Sequence, residues 1–231
     1  MDLLHELFLK YPYSPEKLNT LVCGDKYAAV MLSNGNIGVC STLRHTIPND
    51  IKVLENPNFS LYPHRVIVNA WINAFANYDI MPTGHGDIFN AINFSELKHV
   101  VMIGYFGSLS KRITDIGVNL TTFDFNEREK PVAPMHQQEA ALWDADAIIL
   151  TATSLSNNTF NHIIGISPET TPIFLLGPST PLAETLLNIP KINGLFGVRF
   201  EPFDHETITI IANGGGTKDY MKRIRKIFLS K

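Results

Sequence analysis

A short apolar run that breaks into a small polar turn constrains the fold of this chain more than any other stretch. The run covers residues 173–176, and Gly-Pro-Ser-Thr follows it at 177–180. A wholly apolar run of this length is typical of a strand whose sheet is covered on both faces. Because a hydroxyl residue before proline is typical of a helix start, Thr180-Pro181 predicts a helix directly after the turn. Open α/β sheets bind their ligands where such strands end.

The second half of the chain repeats this pattern of apolar strands and helical segments. Strands are predicted at 100–104, 118–124, 147–151, 173–176 and 194–200. Helices are predicted at about 109–116, 138–143, 159–164 (closed by Gly165), 182–187 and 206–211, and a last helix after Gly214-Gly-Gly216 that buries Tyr220, Ile224 and Ile227 or Phe228. This alternation predicts right-handed βαβ units around a parallel sheet.

The first half has a different texture. A helical stripe covers residues 3–10, and β-rich runs follow at 20–23, 27–32 and 36–42. Asn34-Gly35 joins the last two runs, which is a strong hairpin signal. A loop is predicted at 44–63 and an almost uniformly apolar helix at 65–78, which indicates burial between layers.

These patterns predict an α/β protein of two domains. Residues 1–93 are expected to form a small α+β domain that contains an antiparallel meander. Residues 94–231 are expected to form a parallel sheet with flanking helices. The boundary between the two domains is placed near Asn93, because the alternation of apolar strands and helices begins after it.

Composition limits the classes of partner. The 231 residues are 45% hydrophobic and 18% charged, with a net charge of −3, which is typical of a soluble globular protein. The negative balance argues against nucleic acid or an anionic membrane as the main partner, and the basic run Lys222–Lys226 is interpreted as the solvated face of the last helix. The N-terminal sequence lacks a secretory leader pattern, so we expect a cytoplasmic protein with Cys23 and Cys40 reduced.

The candidate ligand-binding residues lie just past the predicted parallel strands. Since the carboxyl ends of parallel strands share one sheet edge, these residues are expected to meet there. Small residues admit a ligand to the backbone, and hydroxyls and amides bind oxyanions, although the same residue types are common in turns and caps. The candidates are Gly104, Tyr105, Phe106, Asp124, Thr151, Thr153, Asn158, Thr159, Gly177, Pro178, Ser179 and Thr180.

No pattern of metal ligands stands out. The eight histidines are scattered, without a His-x-x-x-His pair or a Cys/His spacing. His85, which lies between two glycines, and Asp124 are the metal candidates; a surface-loop histidine is the alternative for His85. The residues identify no cofactor, and any metal is expected to arrive on a chelating ligand.

Several motifs resemble those of a known family. They are Val101-Met-Ile-Gly-Tyr-Phe106, Thr151-Ala-Thr-Ser-Leu-Ser-Asn-Asn-Thr159, Leu176-Gly-Pro-Ser-Thr-Pro-Leu182, Gly194-Leu-Phe-Gly-Val198 and Gly214-Gly-Gly-Thr217. They resemble the "putative heavy-metal chelation" domain, which usually follows a domain similar to the N-terminal domain of enolase. The resemblance implies a Rossmann-like C-terminal domain, an enolase-N-like domain before it, and a ligand cleft between them. The family's second strand usually ends in glutamate, and here Asp124 takes that place.

Three hypotheses follow for function. The first is binding of a small anionic molecule, such as a metal chelate, between the two domains. The second is a transferase or oxidoreductase that uses a nucleotide-like or adenosyl cofactor in the same cleft. Asp124 stands where a ribose-binding acid would lie, but Gly104-Tyr-Phe-Gly-Ser-Leu lacks the Gly-x-Gly-x-x-Gly fingerprint. The third is an interaction module that forms a homodimer.

Overall fold

Two β-sheets and one long buried helix organise the protein. The computed structural model describes residues 2–126 and 131–231. One sheet has three strands, and the other has seven. No helix in these residues is both long and apolar enough to cross a lipid bilayer.

The small sheet is the predicted antiparallel meander. Helix α1 (Leu3–Lys10) precedes it and begins at Asp2, whose carboxylate accepts a hydrogen bond from the Leu4 amide at 2.9 Å. The sheet runs in the order β1 (Leu18–Cys23), β2 (Tyr27–Leu32) and β3 (Ile37–Ser41). Cys23 and Cys40 lie on its two outer strands and are not bonded to each other. Burial raises the pKa of the Cys23 thiol to about 12 and also raises that of Cys40, which favours the protonated form of both thiols.

The predicted long loop contains a short helix, and a buried helix follows. Helix α2 (Lys52–Glu55) forms where a loop was predicted, because Val53 and Leu54 bury their side chains in the core. Helix α3 (Tyr62–Asp79) begins earlier than predicted, with Pro63 in its first turn, where a missing N–H costs nothing. It is buried on nearly all sides between the sheets, as its apolar surface predicted.

The large sheet combines parallel and antiparallel strands. Its strands are β4 (Gly84–His85), β5 (His99–Ile103), β6 (Asn119–Phe123), β7 (Ala147–Thr151), β8 (Ile173–Leu176), β9 (Ile192–Phe200) and β10 (Ile224–Ser230). Their spatial order is β4-β10-β9-β8-β7-β5-β6. The five strands from β6 to β9 are parallel, in the doubly wound order 2-1-3-4-5, and β10 and β4 are antiparallel to their neighbours. The boundary between two domains at residue 93 stays a prediction.

Helices cover both faces of the large sheet. They are α4 (Gly107–Asp115), α5 (Gln138–Trp143), α6 (Thr153–Ser156), α7 (Phe160–Ile166), α8 (Glu184–Leu187), α9 (His205–Ala212) and α10 (Thr217–Tyr220). Alternate residues of β5 pack on opposite sides: Val101 lies in the core shared with α3, and Met102 packs with Ile113 of α4. The helix predicted at 206–211 is confirmed by α9, which Asp204 caps through the Thr207 amide.

The helix predicted at the C-terminus is wrong, and so is the helix end predicted at Gly165. The last predicted helix is only α10, and the chain from Ile224 onward is strand β10, paired with seven residues of β9. Ile227 and Phe228 therefore point to opposite faces of the sheet, so the predicted helical face does not form. The basic run Lys222–Lys226 spans a short 3₁₀ turn and this strand. Gly165 lies inside α7 and does not close it.

Candidate functional site

A pocket of about 480 Å³ opens at the carboxyl ends of the parallel strands. It lies beside β5 and β7, where the chain order of the sheet reverses. Open α/β sheets characteristically bind ligands at this switch point. Residues of the small sheet line its opposite wall, so both sheets build the pocket.

Ten of the twelve predicted ligand-binding residues line this pocket. They are Gly104, Tyr105, Phe106, Asp124, Thr151, Thr153, Thr159, Gly177, Pro178 and Ser179. Asn158 and Thr180 do not line it. Asn158 occupies a left-handed backbone conformation, with a φ of 62°, and Thr180 is fully buried.

Asp124 fixes the loops that follow β5 and β6. One carboxylate oxygen accepts a hydrogen bond from the Tyr105 amide at 2.7 Å, and the other accepts one from the Asn126 amide at 2.8 Å. Gly104 turns the chain out of β5 with a φ of +90°, and a Cβ there would lie 2.7 Å from Cβ of Thr151. Glycine tolerates the positive φ and has no Cβ to collide with Thr151, so Gly104 lets the loop approach β7 closely.

Hydroxyl groups cluster in the segment that follows β7. The Thr151 and Thr153 hydroxyls lie 2.9 Å apart. The Asn157 side-chain oxygen accepts hydrogen bonds from the amide and the hydroxyl of Thr159, at 3.1 and 2.7 Å. These bonds hold the α6–α7 loop in shape. They use the proton of Thr159 and one proton of the Thr151–Thr153 pair, so one hydroxyl proton of the three threonines remains to donate to a ligand.

The turn after β8 closes the pocket but does not start a helix. Gly177 has a φ of +126° and faces the Phe106 ring, 3.8 Å from where its Cβ would lie. The Ser179 hydroxyl accepts a hydrogen bond from the Ser41 amide at 2.9 Å, which joins this turn to the small sheet. The helix predicted over 182–187 forms as α8 (Glu184–Leu187), but the start predicted at Thr180-Pro181 is wrong: residues 180–183 are not helical, and Ala183 before α8 is extended.

A row of buried asparagines on α3 explains why the helix begins late. Asn69, Asn73 and Asn77 recur every four residues, so they share one helix face. Asn77 donates to the carbonyl of Thr180 at 3.2 Å and accepts from the Leu182 amide at 2.7 Å. The Thr180 carbonyl is the group that would accept the first hydrogen bond of a helix starting there, and Asn77 binds it instead. Asn69 donates to the Ser179 carbonyl at 3.0 Å, and Asn73 donates to the Val39 carbonyl at 2.8 Å.

The small sheet supplies pocket residues that the sequence patterns did not indicate. Tyr27, Ser41 and Leu43 come from β2, β3 and the turn after β3. His162 of α7 also lines the pocket and is exposed. The recurrence of asparagine in an otherwise apolar helix is a sequence signal that could have indicated the contact between α3 and the Ser179 turn.

The described residues offer no ready-made metal centre. No group of three or more His, Cys, Asp or Glu side chains within 2–126 and 131–231 is arranged to hold a metal ion. His85 lies exposed on β4, opposite Ile227 of β10, and does not line the pocket. Asp124 lines the pocket, but both of its oxygens already accept backbone hydrogen bonds. The two metal candidates therefore lie apart.

We expect Thr180 and Ser179 to respond oppositely to loss of their hydroxyls. The Thr180 hydroxyl is buried and has no hydrogen-bond partner in the described part of the chain. Thr180→Val should therefore raise the free energy of unfolding by about 1 kcal/mol, since it removes an unsatisfied polar group. Ser179→Ala leaves the Ser41 amide without its acceptor and should lower that free energy by about 1–3 kcal/mol. Urea unfolding measures both changes. If Thr180→Val lowered the free energy of unfolding as much as Ser179→Ala does, the Thr180 hydroxyl would not be unsatisfied.

The fold and the pocket define an α/β protein with a ligand-sized crevice at a topological switch point. The chain belongs to the DUF364 family, described as "Putative heavy-metal chelation", whose model matches residues 87–230. No functionally curated protein matches the sequence.

Two solved structures of this family are similar to the chain over nearly its whole length. A protein of unknown function from Desulfitobacterium hafniense DCB-2 is 20% identical with a TM-score of 0.75, covering 99% of this chain and 100% of that one. A protein of unknown function from Pyrococcus horikoshii is 20% identical with a TM-score of 0.79, covering 99% of this chain and 96% of that one. At this identity the likeness establishes the fold.

Proposed function

We propose that this protein binds a small anionic ligand, a metal chelate, in the pocket between its two sheets. The pocket itself is the observation that carries the proposal, because residues from both sheets enclose it at the switch point. Its walls combine threonine hydroxyls and backbone turns with the aromatic rings of Tyr105 and Phe106. Such a lining suits an organic molecule that carries oxygen ligands.

A metal that enters as part of a chelate agrees with the chemistry of the lining. Among the residues that the structure describes, one carboxylate, Asp124, and one imidazole, His162, line the pocket. Two such groups fall short of the four ligands that a closed protein site usually supplies to zinc. A chelating molecule would provide the rest, and the family's description points to the same class of ligand.

The position of Tyr105 disfavours a dinucleotide-dependent enzyme. In dinucleotide-binding folds, glycines leave the N-terminus of the first helix open to a pyrophosphate. Here the Tyr105 ring covers Gly107, the first residue of α4, with ring atoms 3.3–3.5 Å from where a Cβ would lie. Asp124 alone favours the nucleotide alternative, so chelate binding is the better-supported function.

Thermal unfolding of chelator-stripped protein tests this function. Ferric and nickel citrate, each metal alone, citrate alone, adenosylmethionine and nicotinamide nucleotides form the panel. A metal chelate at one hundred times its dissociation constant should add about 2.7 kcal/mol to the folded state, which raises the midpoint by roughly 5–10 °C. Stabilisation by a nucleotide or adenosyl cofactor alone would support the enzyme alternative, and silence across the panel would overturn chelate binding.

A pair of exposed histidines supplies the matched control. His162 lines the pocket and His85 does not, so His162→Ala should reduce the chelate-induced shift and His85→Ala should preserve it. Equal effects of the two substitutions would place the chelate outside the pocket.

A further inference from the structure

The pocket continues into a second, outer groove on the side of the small sheet. The outer groove encloses about 1040 Å³ and shares six lining residues with the pocket. The shared residues are Tyr27, Ser41, Leu43, Phe125, Asn157 and Thr159. A single ligand of sufficient length can therefore occupy both spaces.

The outer groove differs from the pocket in charge. Lys26, Arg44 and His45 line it, whereas Asp124 lines only the inner pocket. Arg44 is 71% exposed and already pairs with Asp25 at 3.2 Å. Its charge is therefore screened and partly compensated.

Lys26 is the lysine of this groove, and it forms no ion pair with the described residues. Its side chain is partly buried, and within residues 2–126 and 131–231 its ammonium group has no ion pair. A partly buried charge is screened less by salt than an exposed one and attracts an anion more strongly. Among the cations that line this groove, Lys26 is therefore the one that we expect to bind an anionic group most strongly.

The glycine-rich loop at 214–216 positions the Lys26 side chain. A Cβ at Gly216 would lie 2.8 Å from Cδ of Lys26 and 3.6 Å from its Nζ. Because Gly216 has no side chain, the Lys26 side chain can lie directly against this loop. Next to it, the Tyr27 and Thr217 hydroxyls lie 2.7 Å apart, which fixes the loop against β2.

We propose that the outer groove is an anion subsite, which binds a carboxylate or phosphate group of the ligand through Lys26. The proposal rests on the proposed function and makes it more specific: the ligand is elongated, with its chelating part in the pocket and a separate acidic group outside. The Gly-Gly-Gly-Thr motif then serves the ligand site through Lys26.

Titration of the apo-protein with inorganic pyrophosphate and with metal-free citrate tests the subsite. Calorimetry should detect binding of at least one probe, and the stronger one indicates whether phosphate or carboxylate is preferred. Lys26→Met should weaken that binding at least tenfold. Lys98→Met removes the same charge next to the start of β5, at the opposite edge of the sheet, and should leave it unchanged. Absence of binding by both probes, or equal effects of the two substitutions, would overturn the proposal.

Gly216→Ala provides a second variant that keeps the lysine. The backbone at Gly216 has a φ of −120°, which alanine adopts without strain, so the substitution displaces the flexible Lys26 stem while the fold is retained. Probe binding should weaken several-fold, and unchanged binding would contradict the positioning role. Because His162 lies outside the outer groove, His162→Ala should not affect pyrophosphate binding. Failure of chelate binding in the pocket is thereby distinguished from failure of the anion subsite.

Discussion

Replacing Arg65 with methionine is expected to lower the free energy of unfolding by about 3–5 kcal/mol, because it breaks a buried charge network. Arg65 is 4% exposed and pairs with Asp2 at the start of α1. It also donates to the carbonyls of Phe59 at 3.0 Å, Ser156 at 3.0 Å and Leu155 at 2.5 Å. The substitution leaves these acceptors unsatisfied and Asp2 without its cation.

Urea denaturation of Arg65→Met and Arg44→Met measures this contribution against a matched control. Arg44 also pairs with an aspartate, but the pair is exposed, so its loss should cost less than about 1 kcal/mol. Asp2→Asn should fall between the two, since Arg65 keeps its three carbonyl partners. An Arg65→Met loss no larger than that of Arg44→Met would show that the carbonyl contacts contribute nothing to stability.

Gly38→Ala is expected to lower the free energy of unfolding by more than about 4 kcal/mol, an effect typical of severe core defects. A Cβ at Gly38 would lie 2.1 Å from the Ala70 carbonyl oxygen and 2.2 Å from the Ala74 amide nitrogen. Both atoms belong to the backbone of α3, which cannot rotate away as a side chain can. Asn73 further ties this helix to the Val39 carbonyl next to Gly38.

Gly165→Ala is the control for this substitution. Gly165 lies in α7, and no atom lies within 4 Å of where its Cβ would be. Alanine should therefore stabilise the protein by about 0.5–1 kcal/mol, through the better helix propensity alone. Circular dichroism during thermal and urea unfolding compares the two variants. A soluble Gly38→Ala protein with near-normal stability would mean that α3 and β3 are not in close contact in solution.

The local sequence patterns predicted most of the strands and helices and many of the residues that line the pocket, and the reason is physical. Apolar runs followed by helical segments specify parallel strands, and parallel strands bring their carboxyl ends to one edge. Gly104, Thr151 and Gly177 were placed together by this rule, and all three line the pocket. Whether they bind the ligand stays a prediction.

The missed features depend on contacts between segments that are distant in sequence. Tyr27 and Ser41 reach the pocket only because the small sheet docks on the large one through α3. Thr180-Pro181 has the chemistry of a helix start, but Asn77 binds the Thr180 carbonyl and the Leu182 amide, and the helix begins only at Glu184. Similarly, residues 224–228 fit a helical spacing in isolation, and pairing with β9 decides in favour of a strand.

The far face of the small sheet has a consequence for how the protein forms during synthesis. Ala29, Met31 and Val39 pack there against Val198 and Phe200 of β9, Ile208 and Ile211 of α9, and Tyr220. When β1–β3 leave the ribosome, the segments that cover this face have not yet been made. The apolar surface of the meander therefore stays exposed to water and to chaperones until the chain has been translated at least as far as Tyr220.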